Sequence, residues 1–141
     1  MKKVFGCLSM AALAIVLAVP VSAQTITLKA SVPFDFVVGG RPMPAGDYVV
    51  STVGNLGVLQ VLNAAGGIRP TFTITNAVSG PLDSGGASFT FHRYGGDYFL
   101  AKIWDGSAAT GCSIPMSRTE QERAKSASLR KPELVVVLAR R

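Results

Sequence analysis

From Thr25 to Ala139 the chain is divided into short runs of alternating apolar and polar residues, punctuated by glycine, proline and asparagine. Alternation with period two places successive side chains on opposite faces of a strand, whereas an amphipathic helix needs a period of 3.6. Runs spaced about ten residues apart with turn signals between them predict an all-β fold. The expectation is a single antiparallel sandwich or small barrel of about 7–9 strands with one short surface helix near the C-terminus.

The first run, Thr25 to Val32, sets Ile26, Leu28, Ala30 and Val32 on one face and Thr25, Thr27, Lys29 and Ser31 on the other. Pro33 interrupts it, and Phe34 to Val38 forms a second apolar run that ends at Gly39-Gly40. Pro44-Ala45-Gly46-Asp47 then predicts a tight turn before Tyr48 to Val53 resumes as strand. Val58 to Leu62 and Thr71 to Thr75 follow, and in the latter Phe72 and Ile74 oppose three threonines, which suit the wet face of a strand. Ser79 to Gly86 reads as a polar loop.

Phe89 to Trp104 holds the only histidine, the only tryptophan and two of the three tyrosines, as two alternating runs around Gly95-Gly96-Asp97. This is a β-hairpin pattern. A two-residue Gly95-Gly96 turn would pair His92 with Phe99 and leave Phe89 beside Lys102. A three-residue loop instead groups Phe89 and Phe91 with Phe99, Ala101 and Ile103 on an apolar face, and is preferred because a slip of one residue inverts every side chain. Ser88, Thr90, His92, Tyr94, Tyr98, Leu100, Lys102 and Trp104 then share the other face.

Ser117-Arg118-Thr119-Glu120 has the form of a capping box and predicts a helix over about 118–128. With only alanines to relieve its polarity it belongs on the surface, with Glu120–Arg123 and Glu122–Lys125 as local ion pairs. Pro132 follows, and a final strand is predicted at about 133–139.

The first residues point to export. Lys2 and Lys3 precede an apolar stretch from Val4 to Val19, and Pro20 and Val21-Ser22-Ala23 complete a signal-peptide pattern with cleavage after Ala23. Ser9, Pro20 and the cleavage signal argue against a transmembrane anchor, so none is expected after cleavage. Cys7 lies at the start of the apolar stretch, not after it, which argues against a lipid anchor. The remaining residues 24–141 are enough for one β-rich domain, destined for the periplasm or the extracellular space. They contain a single cysteine, Cys112, so an intrachain disulfide is not expected. Its thiol reads either as a small buried group or as a free one.

Charge is uneven. Residues 24–117 carry five basic and five acidic groups, whereas 118–141 carry seven basic and three acidic. The plain reading is a solvated surface segment. The sharper one is contact of Arg118, Arg123, Lys125, Arg130 and Lys131 with a polyanion, either a cell-surface glycan or an anionic envelope component. Nucleic acid is not expected as a partner, because the basic segment has no aromatic residue for stacking.

Catalytic signals are weak. Asp83-Ser84-Gly85-Gly86 looks like the surroundings of a chymotrypsin-type nucleophile, but Leu82 replaces the preceding glycine and the only histidine follows this serine. One histidine and a lone cysteine make no metal cluster, and the aspartates lack EF-hand spacing. No phosphate loop or dinucleotide fingerprint is present, so no cofactor or metal is expected. His92, Tyr94, Tyr98 and Trp104 could form an exposed platform for a glycan or small apolar ligand; the alternative is a second core layer covered by another part of the chain. A His92-dependent hydrolase would require partners from distant strands.

Val32-Pro33-Phe34-Asp35-Phe36, Pro44-Ala45-Gly46-Asp47-Tyr48, Phe91-His92-Arg93-Tyr94-Gly95, Tyr98-Phe99-Leu100 and Ile103-Trp104, then Ser117-Arg118 before a charged helix, together resemble a group of small exported β-rich proteins common in Acidobacteria. The resemblance spans nearly all of residues 24–141 and brings no catalytic residue to carry over. Ile114-Pro115 stands where members of the group tend to have Leu-Pro, and Cys112 is peculiar to this chain. The expected function is therefore a non-enzymatic structural or interaction domain of the periplasm or cell surface.

Overall fold

The computed structural model describes residues 26–54, 57–80, 85–106, 110–127 and 131–141. The expected signal peptide, Asp83 and Ser84 of the protease-like loop, Arg130 and the expected last residue of the helix lie outside the described residues. Among the described residues eleven strands form two sheets: β1 (Thr27–Val32), β2 (Phe36–Val38), β3 (Arg41–Met43), β4 (Gly46–Val53), β5 (Val58–Asn63), β6 (Thr71–Ile74), β7 (Asn76–Ser79), β8 (Ser88–Tyr94), β9 (Asp97–Trp104), β10 (Thr110–Ser113) and β11 (Glu133–Leu138). Helix α1 (Arg118–Ser126) lies between β10 and β11.

The four-stranded sheet has the order β1-β4-β5-β6. The seven-stranded sheet runs β11-β8-β9-β10-β7, with β2 joined to β9 at Val37–Phe99 and β3 paired to β2. The sheets meet along both edges. Residues 71–79 pass from β6 in one sheet to β7 in the other, bending at Thr75, whose amide and hydroxyl both donate to the Gly57 carbonyl at 2.7 and 3.1 Å. On the opposite edge Arg140 exchanges two backbone hydrogen bonds with Lys29 of β1, at 2.7 and 2.9 Å.

Between the sheets lies a core that includes Leu28, Val32, Phe36, Val38, Tyr48, Val50, Leu59, Val61, Phe89, Phe91 and Ile103. In β1 the alternation works as read: Leu28, Ala30 and Val32 are buried, and Thr27, Lys29 and Ser31 are exposed. In β6 it is inverted. Thr71 is buried with its hydroxyl 3.7 Å from the Met43 sulfur, while Phe72 and Ile74 are 58% and 69% exposed. The register explains this: Thr71 pairs with Val61, residues opposite in a ladder share a face, and Val61 points into the core.

The hairpin register also departs from expectation, and does so halfway along. From Tyr94 to Phe91 the pairs are Asp97, Tyr98, Phe99 and Leu100, the two-residue-turn register; from Thr90 to Ser88 they are Lys102, Ile103 and Trp104. Ala101 is the extra residue of a β-bulge. Gly95 takes φ +63°, which a type II′ turn needs at its first central position. Inserting one residue restores Phe89 to Ile103 without giving up the tight turn. The Ala101 carbonyl, displaced from the β8 ladder, accepts from the Ile114 amide at 2.8 Å. Phe91, Tyr98 and Leu100 thus fall on the inner face, and His92, Tyr94 and Phe99 on the outer one.

β3, β7 and β10 were not legible as strands. β3 contains Pro42, β10 contains Gly111, and β7 is largely exposed on both faces, so their strand state comes from ladder partners. The helix starts where expected: the Glu120 amide donates to the Ser117 hydroxyl at 3.2 Å. Its expected local pairs do not form. Glu122 pairs with Arg118 at 3.3 Å, and Arg123 with Asp97 of the hairpin at 3.1 Å.

Candidate functional site

Helix α1 lies over the outer face of the hairpin and touches it through a carboxylate. Glu120, 3% exposed, sets Oε1 2.7 Å from Nδ1 of His92, and the Tyr94 hydroxyl approaches the same oxygen at 3.4 Å. His92 and Tyr94 stand edge to face at 6.4 Å between centroids, as do Tyr94 and Phe99 at 5.8 Å. Tyr94 is buried, and burial, the Glu120 charge and the hydrogen bond to it push its phenol pKa above the usual value. Because an ionised carboxylate only accepts, Nδ1 is the donor in this contact.

The four aromatic candidates do not form one platform. His92 and Tyr94 lie together beneath α1. Tyr98 has turned to the inner face, where it stacks on Phe34 at 3.8 Å with an interplanar angle of 14°, and Phe34 meets Phe91 edge-on at 5.0 Å. Arg93 lies over the Tyr98 ring with its guanidinium carbon 5.4 Å from the centroid. Trp104 sits at the far end of the hairpin across from Gly111, with its indole packed against Gly111 and Gly80. The bulge at Ala101 is what sends Tyr98 and Trp104 to opposite faces.

Glu120 is the residue that sequence reasoning missed. Its sequence signals were both local: the capping box, which directs its carboxylate back to the Ser117 amide, and the expected pair with Arg123. Its contact with His92 spans 28 positions, so no local pattern could have shown it.

Of the basic candidates, Arg118 and Arg123 hold the carboxylates of Glu122 and Asp97. Lys125 and Lys131 are exposed, and Lys131 lines a cleft of about 270 Å³ with Arg93, Tyr94, Ala127 and Glu133. Cys112 is partly buried in β10 with a free thiol. Among the described residues no group of three or more His, Cys, Asp or Glu side chains is placed to hold a metal ion. Among the same residues no helix is long and apolar enough to cross a membrane.

Compared with known proteins, the chain matches no family model, no curated protein and no solved structure.

Proposed function

We propose that the chain is an exported, non-enzymatic β-domain that acts through surface contact, as a structural or interaction protein of the periplasm or cell surface. One observation carries this reading: the imidazole of the only histidine is held by Glu120 against the helix, while large apolar side chains stand on the outside. Leu134, Val136 and Leu138 are 58–75% exposed on one sheet, and Phe72 and Ile74 on the other. Scattered exposed apolar residues are ordinary, but stripes along a strand favour contact surfaces. The signal-peptide pattern and the likeness to exported Acidobacterial proteins support the location.

Expression in a Gram-negative host followed by fractionation and N-terminal sequencing tests the export component. The expected product begins at Gln24 outside the cytoplasm; an unprocessed cytoplasmic chain overturns it. A second reading, a hydrolase dependent on His92, draws on the Glu120 contact, because a carboxylate at Nδ1 orients an imidazole as general base. Among the described residues no serine or cysteine is hydrogen-bonded to His92. A hydrolysis screen comparing wild type with folded His92→Ala decides between the two: turnover lost in the variant would establish the hydrolase.

A further inference from the structure

We propose that the outer edge of β11 pairs with the same strand of a second copy of this chain, giving a two-fold dimer through a continuous sheet. This rests on the reading that the outer apolar stripes are contact surfaces, and it names the partner for one of them.

The backbone of β11 supplies the first argument. Ala139 donates to Ala87, toward β8, whereas Arg140 exchanges both its bonds with Lys29 on the other side. Backbone direction alternates along a strand, so Leu138, Val136 and Leu134 also aim their N–H and C=O groups away from β8. Among the described residues the ladder partner of β11 is β8; β1 also approaches β11 and forms its hydrogen bonds just past it, at Arg140. This leaves six backbone groups with no ladder partner among the described residues, on a strand without proline, lysine or a bulge. Such an edge is a template for pairing.

The sequence of the edge supplies the second. Leu134-Val135-Val136-Val137-Leu138 is a palindrome. An antiparallel copy related by a two-fold axis at Val136 sets Leu134 against the partner's Leu138, Val135 against the partner's Val137 and Val136 against the partner's Val136. The residues brought opposite each other at Leu134, Val136 and Leu138 are those with free backbone groups, so the register satisfies all six on each chain. The same operation joins the two exposed Leu–Val–Leu stripes into one apolar band. Isologous contacts require this kind of self-complementarity.

The ends of the strand supply the third. In this register Glu133, which pairs with Arg93 at 3.4 Å in its own chain, stands opposite the partner's Ala139, and the partner's Arg141, which pairs with Asp105 at 3.2 Å in its own chain, lies diagonal to it on the same face. Pro132 lacks an N–H and ends the paired stretch. At the other end a groove of about 480 Å³, lined by residues of β1 and β4 and by Leu138, Ala139 and Arg140, borders the Lys29–Arg140 bridge.

The test is sedimentation equilibrium of the full chain as the cell produces it, with engineered cysteines reporting the register. Wild type is expected at twice the monomer mass, and Val136→Lys at monomer mass with an unchanged circular dichroism spectrum. Phe72→Lys, on the other sheet, is expected to remain dimeric. In a Cys7→Ser, Cys112→Ser background, Val136→Cys should form a disulfide-linked dimer under mild oxidation, because opposed residues of a hydrogen-bonded pair lie about 5.5 Å apart at Cα. Leu134→Cys, displaced from its counterpart by four residues, should not. A monomeric wild type overturns the proposal, as does a dimer insensitive to Val136→Lys. A dimer broken instead by Phe72→Lys overturns the β11 pairing while leaving the contact-surface reading standing.

Discussion

Replacing Glu120 with alanine is expected to lower the unfolding free energy by about 2–3 kcal/mol, far more than an ordinary helix-surface change. The magnitude follows from the site. The Glu120 side chain is 4% exposed and 2.7 Å from His92 Nδ1, a geometry worth about 1.5–3 kcal/mol when a charged group is involved. The Tyr94 oxygen, at 3.4 Å, is too distant to add a full hydrogen bond. His92 is 22% exposed, so water can solvate its ring after truncation and limits the loss. Glu120→Gln keeps the shape and one acceptor and should lose about 1 kcal/mol. Urea unfolding followed by circular dichroism gives these values, and a double-mutant cycle with His92→Ala should return a coupling of about 1–2 kcal/mol. Absorbance titration adds a structural readout: in Glu120→Gln the Tyr94 phenol should move back toward the usual value, because the Glu120 charge is removed while burial persists. A loss below about 0.5 kcal/mol for Glu120→Ala, typical of surface positions, would refute the docking of α1 through this carboxylate.

Gly111→Ala should destabilise by about 1–3 kcal/mol through overpacking, since the new Cβ would stand 2.5 Å from Trp104 Cε3 and 2.7 Å from the Ile103 carbonyl oxygen; an unchanged melting temperature would contradict that packing. Alkaline pH provides another test. Tyr48 and Tyr94 both have raised folded pKa values, Tyr48 chiefly through burial, so the unfolded chain ionises first. Their contribution is fully present below the unfolded value of about 10 and is lost as pH rises through the folded values, so urea midpoints should fall above that pH. A flat profile from pH 9 to 11 would contradict the buried, neutral phenols.

The elements legible in the sequence were those whose signal is local. Alternation in β1 identified both its faces, and Ser117 marked the helix start within a residue. β6 was misread because its inward face is chosen by β5, where Leu59 and Val61 already point to the core, and four residues of local hydrophobicity cannot outweigh that register. The hairpin posed a choice between two registers, and a single bulged alanine allowed both. That alanine also decided the fate of the aromatic candidates: His92 and Tyr94 stayed together, and Tyr98 changed faces. Burial of Glu120 was invisible for a different reason. A charged residue on a polar helix is exposed by default, and only the distant His92 overrides the rule.

The central claim is that the chemistry of the hairpin holds the fold together while the outer strands make the contacts. Sedimentation equilibrium of folded His92→Ala beside the wild type tests it most directly. The account predicts the same dimer mass and association constant for both, with the effect of the substitution confined to unfolding free energy. A folded His92→Ala chain that has lost association would place the imidazole in the contact surface and contradict it.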